Sequence, residues 1–332
     1  MSVSLISLIL AIRSGDQAQF EQIASLGPAS VIGSALFSIL FIVGASAWFG
    51  GKQLTWHSIT RDIGYYIFAV SALFLFMFDG KIQWYEGIIL LALYVVYALI
   101  VANWPKIVKI FNIEGTTIPQ EEITDSEEEL FHVKDLNWNI VNFFPKIFSN
   151  VFFTLREGFV GYKVVWNVLI SVGLVILSSW AMVELAINLA RQASIPEALI
   201  GITILAVGTS VPDLLASVKT AREGYADTAV TNAVGSNVFD VLGNLGLTWT
   251  FAALFTAGRD IPVDITSLST SVILLIASSV VLILVFFAKK FNLSKLIAGV
   301  LMISYILYVI YICLKTLGIF NLDIYLKNLF NL

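Results

Sequence analysis

GITILAVGTSVPDLLASVKTAREGYADTAVTNAVGSNVFDVLGNLGLTW, residues 201–249, decides how the rest of the chain is read. Its core, Ala206-Val207-Gly208-Thr209-Ser210-Val211-Pro212-Asp213, leads to Gly235-Ser236-Asn237-Val238-Phe239-Asp240. Each of the two apolar segments holds one interior carboxylate with a hydroxyl one helical turn before it. Thr209 and Asp213 are four residues apart, as are Ser236 and Asp240, so on a helix each pair shares a face. A carboxylate within a membrane span is costly unless it meets a partner or a watery cavity, and it marks an ion path by default. Pro212 removes a backbone donor and leaves a carbonyl unpaired, which lipid tolerates only where protein, water or an ion satisfies it. A helix broken here, with oxygen ligands at mid-membrane depth, predicts a cation site of the kind secondary transporters use.

Composition agrees with a membrane setting. Of 332 residues, 58% are hydrophobic and 13% charged, with a mean hydropathy of +0.89, whereas soluble domains carry about 25% charge. The net charge of −4 comes without any basic stripe, which excludes nucleic acid as a partner. A single cysteine, Cys313, excludes an intrachain disulfide framework and a cysteine-based metal site. No cofactor is expected; the partners are the lipid bilayer and the transported ions.

Against the roughly 20 apolar residues that cross a bilayer, hydropathy predicts eight full spans near residues 31–49, 63–79, 84–103, 165–190, 197–221, 227–256, 267–288 and 296–317. Residues 2–13 form a shorter apolar piece. The expected division is a membrane region over 1–103, a loop over 104–164 and a second membrane region over 165–320. The loop carries an acidic run from Glu121 to Glu129 that reads as a solvated face. With the loop in the cytosol, thirteen Lys and Arg fall inside against six outside, as the positive-inside rule expects. Lys219/Arg222 and Lys289/Lys290 both fall inside; the short loops alone split seven to six, so the long loop carries the assignment.

Residues 201–249 resemble the second alpha repeat of the calcium/cation antiporter superfamily, in particular the potassium-dependent sodium/calcium exchangers, and Met182, Pro196 and Glu197 also match that branch. The resemblance implies an all-α, inverted-repeat antiporter fold and exchange of sodium for calcium with potassium co-transport. It makes Asp213 the central carboxylate shared by calcium and sodium, with ligands from Thr209, Ser210 and the Ala206 carbonyl. Ser236 lines the facing helix, with Ser34 as its counterpart in the first repeat, and Asp240 is the position tied to potassium. Calcium and sodium are hard cations suited to such oxygens.

The first half carries the later part of a matching repeat: Gly33, Ser34, Phe37 and Gly44 parallel Gly235, Ser236, Phe239 and Gly246, and Ser38 stands opposite Asp240. Nothing between Met1 and Gly33 mirrors Gly208 to Asp213, and Ser2 to Ser14 resembles the continuation after such a motif. The first repeat is therefore expected to be truncated, through an incomplete record or as a short form that assembles with a chain supplying the missing helices. A transport-inactive subunit or gene fragment is the alternative function, and a proton/calcium antiporter the third, though such families favour glutamates in both repeats. An intramembrane aspartyl protease, the enzymatic reading, requires Tyr-Asp and Gly-x-Gly-Asp, but here Asp213 follows Pro212 and Asp240 follows Phe239.

Among the remaining polar residues, Asp227 and Glu197 read as helix-start charges, Asp79 and Glu86 as interfacial, and His57 and His132 as isolated in polar loops.

Overall fold

The computed structural model describes residues 2–13, 23–50, 56–110, 161–255, 260–262, 265–316 and 319. Long runs of aliphatic and aromatic residues, broken by short polar turns, fold as helices because lipid leaves backbone groups no partner outside their own segment. In chain order these are α1 (Ser2–Arg13), α2 (Leu26–Gly50), α3 (Trp56–Met77), α4 (Trp84–Ala102), α5 (Trp104–Ile110), α6 (Gly161–Ala193) and α7 (Glu197–Arg222). They are followed by α8 (226–255), α9 (Ile265–Ala288) and α10 (Lys295–Thr316).

Seven helices among the described residues are long and apolar enough to cross a membrane. The eighth expected span is α8, whose segments of 13, 6 and 11 residues follow without interruption. At 1.5 Å per residue it is long enough to cross, but it carries Asp227, Asn232, Asn237, Asp240 and Asn244 and stands outside those seven.

The chain forms two compact units. In the smaller, residues 103–179, the described parts are α5 and the start of α6, whose Val165, Leu169, Val172 and Leu177 are exposed, as suits a surface bathed in lipid. The acidic run of the 104–164 loop and His132 lie outside the described residues.

In the larger unit, α2 is the buried element. Leu26, Ile32, Leu36, Ile39 and Ile42 are all at most 1% exposed. Around it pack α7, α8 and α10, while α3 and α4 lie against α8. The α7–α8 turn is closed by Gly224 at φ 98°, a left-handed conformation that glycine adopts without steric cost. A two-residue antiparallel ladder, β1 (Lys81–Ile82) with β2 (Ile261–Pro262), ties the α3–α4 turn to the segment after α8. Beside it the Lys81 ammonium donates to Asp260 at 2.9 Å, and that hydrogen bond with the Asp260 charge holds Lys81 above the usual lysine range.

Three π-helical turns interrupt these helices: Phe37–Ile42 in α2, Gly201–Leu205 in α7 and Phe239–Asn244 in α8. The first and third occupy equivalent positions when Gly33 is set against Gly235, so the repeat shared by the two halves extends to its irregularities.

Two expectations are corrected. The helix does not break at Pro212; Ala206–Arg222 runs through it, and the irregular turn comes earlier, at Gly201–Leu205. His57 lies in α3, 5% exposed and against Trp56, rather than in a loop. Asp227 is in the first turn of α8, two residues after Tyr225 at the N-cap position, and so stands as a helix-start charge. Glu197 does begin α7, directly after Pro196, where its charge suits the helix dipole. Glu86 accepts from the Gln83 amide at 2.7 Å and so closes the start of α4.

Candidate cation site

The site forms where α7 meets α2. Gly33 lies so close to α7 that a Cβ there would strike the Ile202 carbonyl, and a Cβ at Gly201 would sit 2.9 Å from Ala29 Cβ. This close approach brings two hydroxyls from opposite repeats together: Ser34 Oγ and Ser210 Oγ are 2.7 Å apart, and both residues are buried.

Pro212 lies within α7, so the Gly208 carbonyl four residues earlier has no amide to accept from along the helix. Thr209 Oγ1 donates back to the carbonyls of Leu205 at 2.9 Å and Ala206 at 3.1 Å. The Ala206 carbonyl, a candidate ligand, is therefore already partnered by another candidate. Asp213 follows at the next turn, half-buried.

On α8, Ser236 Oγ donates to the Ala233 carbonyl at 3.1 Å. Asp240 is the second residue of the π-helical turn, is half-buried, and interacts electrostatically with Asp213. The Asn244 amide donates to its carboxylate. Asn237 Nδ2 reaches across to the Ala35 carbonyl at 3.3 Å, which fixes α8 against α2.

Of the seven residues singled out by sequence, Ser34 and Ser210 are thus in direct contact, and Asp213 and Asp240 are linked by charge. Thr209, Ala206 and Ser236 are engaged within their own helices. Among the described residues no three of His, Cys, Asp or Glu gather; the acidic groups here are the two carboxylates linked by charge.

Sequence reasoning missed Asn244 and Tyr66. Asn237, Asp240 and Asn244 recur at helical spacing, a signal that was open to it. It also placed Arg61 and Asp62 before the second span. In the structure both lie in α3, with Asp62 fully buried and accepting from Arg61 Nε at 2.7 Å, Arg61 Nη2 at 3.0 Å and Tyr97 Oη at 3.2 Å.

The fold and the oxygen cluster between repeats define an integral, multi-pass membrane protein with the inverted-repeat architecture of cation antiporters. Two solved structures share it. A sodium-calcium exchanger, NCX_Mj, soaked with 100 mM Na+ and 10 mM Sr2+, aligns with a TM-score of 0.52 and 20% identity, covering 93% of this chain and 82% of that one. Native YfkE aligns with a TM-score of 0.57 and 18% identity, covering 93% and 79%.

The family model described as "Sodium/calcium exchanger protein" matches residues 2–103 and 163–314, and the chain belongs to that family. Its relatives in the wider calcium/cation antiporter superfamily include potassium-dependent sodium/calcium exchangers. Human sodium/potassium/calcium exchanger 4 is 24% identical over an alignment of 444 residues, covering 89% of this chain and 71% of that protein. Human sodium/potassium/calcium exchanger 3 is 39% identical over 145 residues, 43% of this chain and 22% of its own.

Proposed function

We propose that the chain is a secondary antiporter that exchanges sodium for calcium, with potassium carried alongside. The observation that supports this most directly is the meeting of Ser34 and Ser210 from opposite repeats beside the electrostatically linked Asp213 and Asp240. Thr209, Ala206 and Ser236 complete the ligand set, with the Gly208 carbonyl that Pro212 deprives of its amide. The relatives named for sodium, potassium and calcium exchange support the same ions.

Asp213 and Asp240 carry a charge of −2, which calcium alone or two monovalent ions balance; a potassium ion held together with calcium calls for a third negative charge. An uncompensated charge at mid-membrane depth is costly, so the site crosses when cations neutralise it and resists crossing empty. Ions that each satisfy this condition, but not together, are exchanged obligatorily. Alternating access then follows from one helix bundle moving against the other around the site. The ions are cargo, and the mechanism calls on no organic cofactor.

Membrane regions 1–103 and 165–320 flank a cytosolic loop, 104–164, in this reading, with the Lys and Arg distribution as its support. The outward face of α7 supports one further element. Thr209 is exposed there with Ile204, Val211 and Leu215, so a candidate ligand lies at the surface of the bundle. A second chain that lays a helix over this face, and brings a carboxylate with it, is the partner implied. In the alternative reading, the chain by itself is a transport-inactive subunit that needs this partner.

The test is calcium uptake into sodium-loaded vesicles reconstituted with the purified chain, with and without potassium, alongside Asp213→Asn. Uptake that requires the sodium gradient, rises with potassium and vanishes in the variant is expected. Uptake that follows an imposed proton gradient instead would refute sodium coupling. Absence of any gradient-driven flux would make the inactive-subunit reading the right one for this chain alone.

A further inference from the structure

Asp240 has a second set of oxygen neighbours that the exchange cycle above does not use. Asn244, the last residue of the π-helical turn in α8, is 3% exposed. Its amide nitrogen is engaged by Asp240, and its Oδ1 has no hydrogen-bond partner. Tyr66 of α3 is fully buried, its hydroxyl also lacks a partner, and it lies within electrostatic reach of Asp240. α3 packs directly against the π-helical turn, and Tyr66 and Asn244 are each linked to Asp240. Buried polar atoms are nearly always satisfied, and in hydrocarbon an unsatisfied one is especially costly, so two beside one carboxylate call for a common partner.

The chemistry narrows what that partner is. One carboxylate supplies a single negative charge; an amide oxygen and a phenol oxygen add dipoles without charge. Such a set neutralises a monovalent ion and leaves a divalent ion undercompensated. Amide and phenol oxygens are also weaker ligands than carboxylates, which suits an alkali cation that sheds its water readily. The Ser34–Ser210 pair lies at the interface of α2 and α7, on elements other than those that carry Tyr66 and Asn244.

Resting on the exchange reading, we propose that Asn244 and Tyr66 are specificity-determining residues: they set which alkali cation is held beside Asp240. Asn244 acts twice, fixing the carboxylate through its nitrogen and offering its oxygen to the ion. Tyr66 offers its hydroxyl from α3.

The test is thermal unfolding of the purified full chain in detergent, titrated with lithium, sodium, potassium, rubidium or caesium chloride against choline chloride at constant ionic strength. Calcium chloride is titrated separately. The variants are Tyr66→Phe, which removes one oxygen and keeps the ring, and Asn244→Ala; Ser46→Ala, which removes a buried unpartnered hydroxyl elsewhere in the core, is the control. Wild type and Ser46→Ala should favour one alkali cation. Each site variant should weaken that cation roughly tenfold and flatten the order among the five, as expected when a buried site loses one oxygen, while calcium affinity holds. A wild type that does not distinguish alkali cations overturns the proposal. So does an unchanged order in both variants, or a parallel loss of calcium affinity. Alkali discrimination that disappears in the variants while vesicle exchange is absent in wild type would refute transport and leave the subsite standing.

Discussion

Gly33 and Gly235 are equivalent in the two repeats, yet alanine should act oppositely at the two positions. A Cβ at Gly33 would meet the Ile202 carbonyl oxygen, lie 2.7 Å from the Ile202 carbonyl carbon and 2.6 Å from Ala206 Cβ. Ordinary carbon contacts are at roughly 3.5–4.0 Å, so α2 and α7 must part by about 1 Å. Such overpacking costs about 1–3 kcal/mol, only partly offset by the roughly 0.5–1 kcal/mol that alanine gains over glycine in a helix. The same movement would carry Ser34 Oγ from its 2.7 Å separation beyond hydrogen-bond range of Ser210. At Gly235 the nearest atom to a new Cβ is Tyr97 Oη at 3.5 Å, an ordinary contact. Gly33→Ala should therefore lower the unfolding temperature in detergent and weaken calcium binding, while Gly235→Ala should be neutral or slightly stabilising. Unfolding curves with and without calcium measure both effects. Equal shifts in the two variants, or intact calcium affinity in Gly33→Ala, would refute the reasoning.

Asp62→Ala removes the buried acceptor of Arg61 and Tyr97 and should cost about 3–5 kcal/mol, read as a fall in unfolding midpoint; a loss below about 1 kcal/mol would mean that the pair is worth no more than an exposed one. Ser34→Ala and Ser210→Ala should each weaken calcium binding, with a coupling of about 0.5–3 kcal/mol in the double-mutant cycle; strict additivity would show that the two hydroxyls act separately. Pro212→Ala restores the amide for the Gly208 carbonyl, so it should raise the unfolding temperature while lowering calcium affinity. Unchanged affinity in that variant would remove the Gly208 carbonyl from the ligand set.

Helix positions were legible because membrane helices must be continuous apolar runs, and the predicted spans agree with the helices to within a few residues apart from the starts of α2 and α3, which lie at Leu26 and Trp56 instead of residues 31 and 63. The polar pairs Thr209/Asp213 and Ser236/Asp240 were legible for the same reason: a costly residue in an apolar run stands out. Less legible was what sits at the edge of a run. Asp62 follows Arg61, and two adjacent charges ahead of an apolar stretch read as a loop, although their mutual hydrogen bonds let both enter α3. Pro212 misled in the other direction. Its lost hydrogen bond reads as a break, but one missing donor is tolerated in a helix packed against α2, and the backbone irregularity lies at Gly201–Leu205. There the close approach of Ala29 and Leu26 favours glycine, a reason that only the packing reveals.

The repeats agree in backbone and differ in chemistry, and this asymmetry has a consequence for the site. Both carry a π-helical turn at the same place, Phe37–Ile42 and Phe239–Asn244. Counting from the paired glycines, Ala35 stands against Asn237, Ser38 against Asp240 and Ile42 against Asn244. The first repeat supplies shape with few oxygens, and the second supplies oxygens and charge on the same frame. An ion held between them must lie nearer α7 and α8 than α2. In consequence, Ser38→Asp should raise affinity for divalent ions by adding charge on the poorer side, read in the calcium titration of unfolding. A loss of affinity would mean that the site depends on its asymmetry, with the α2 side serving as the face past which ions leave.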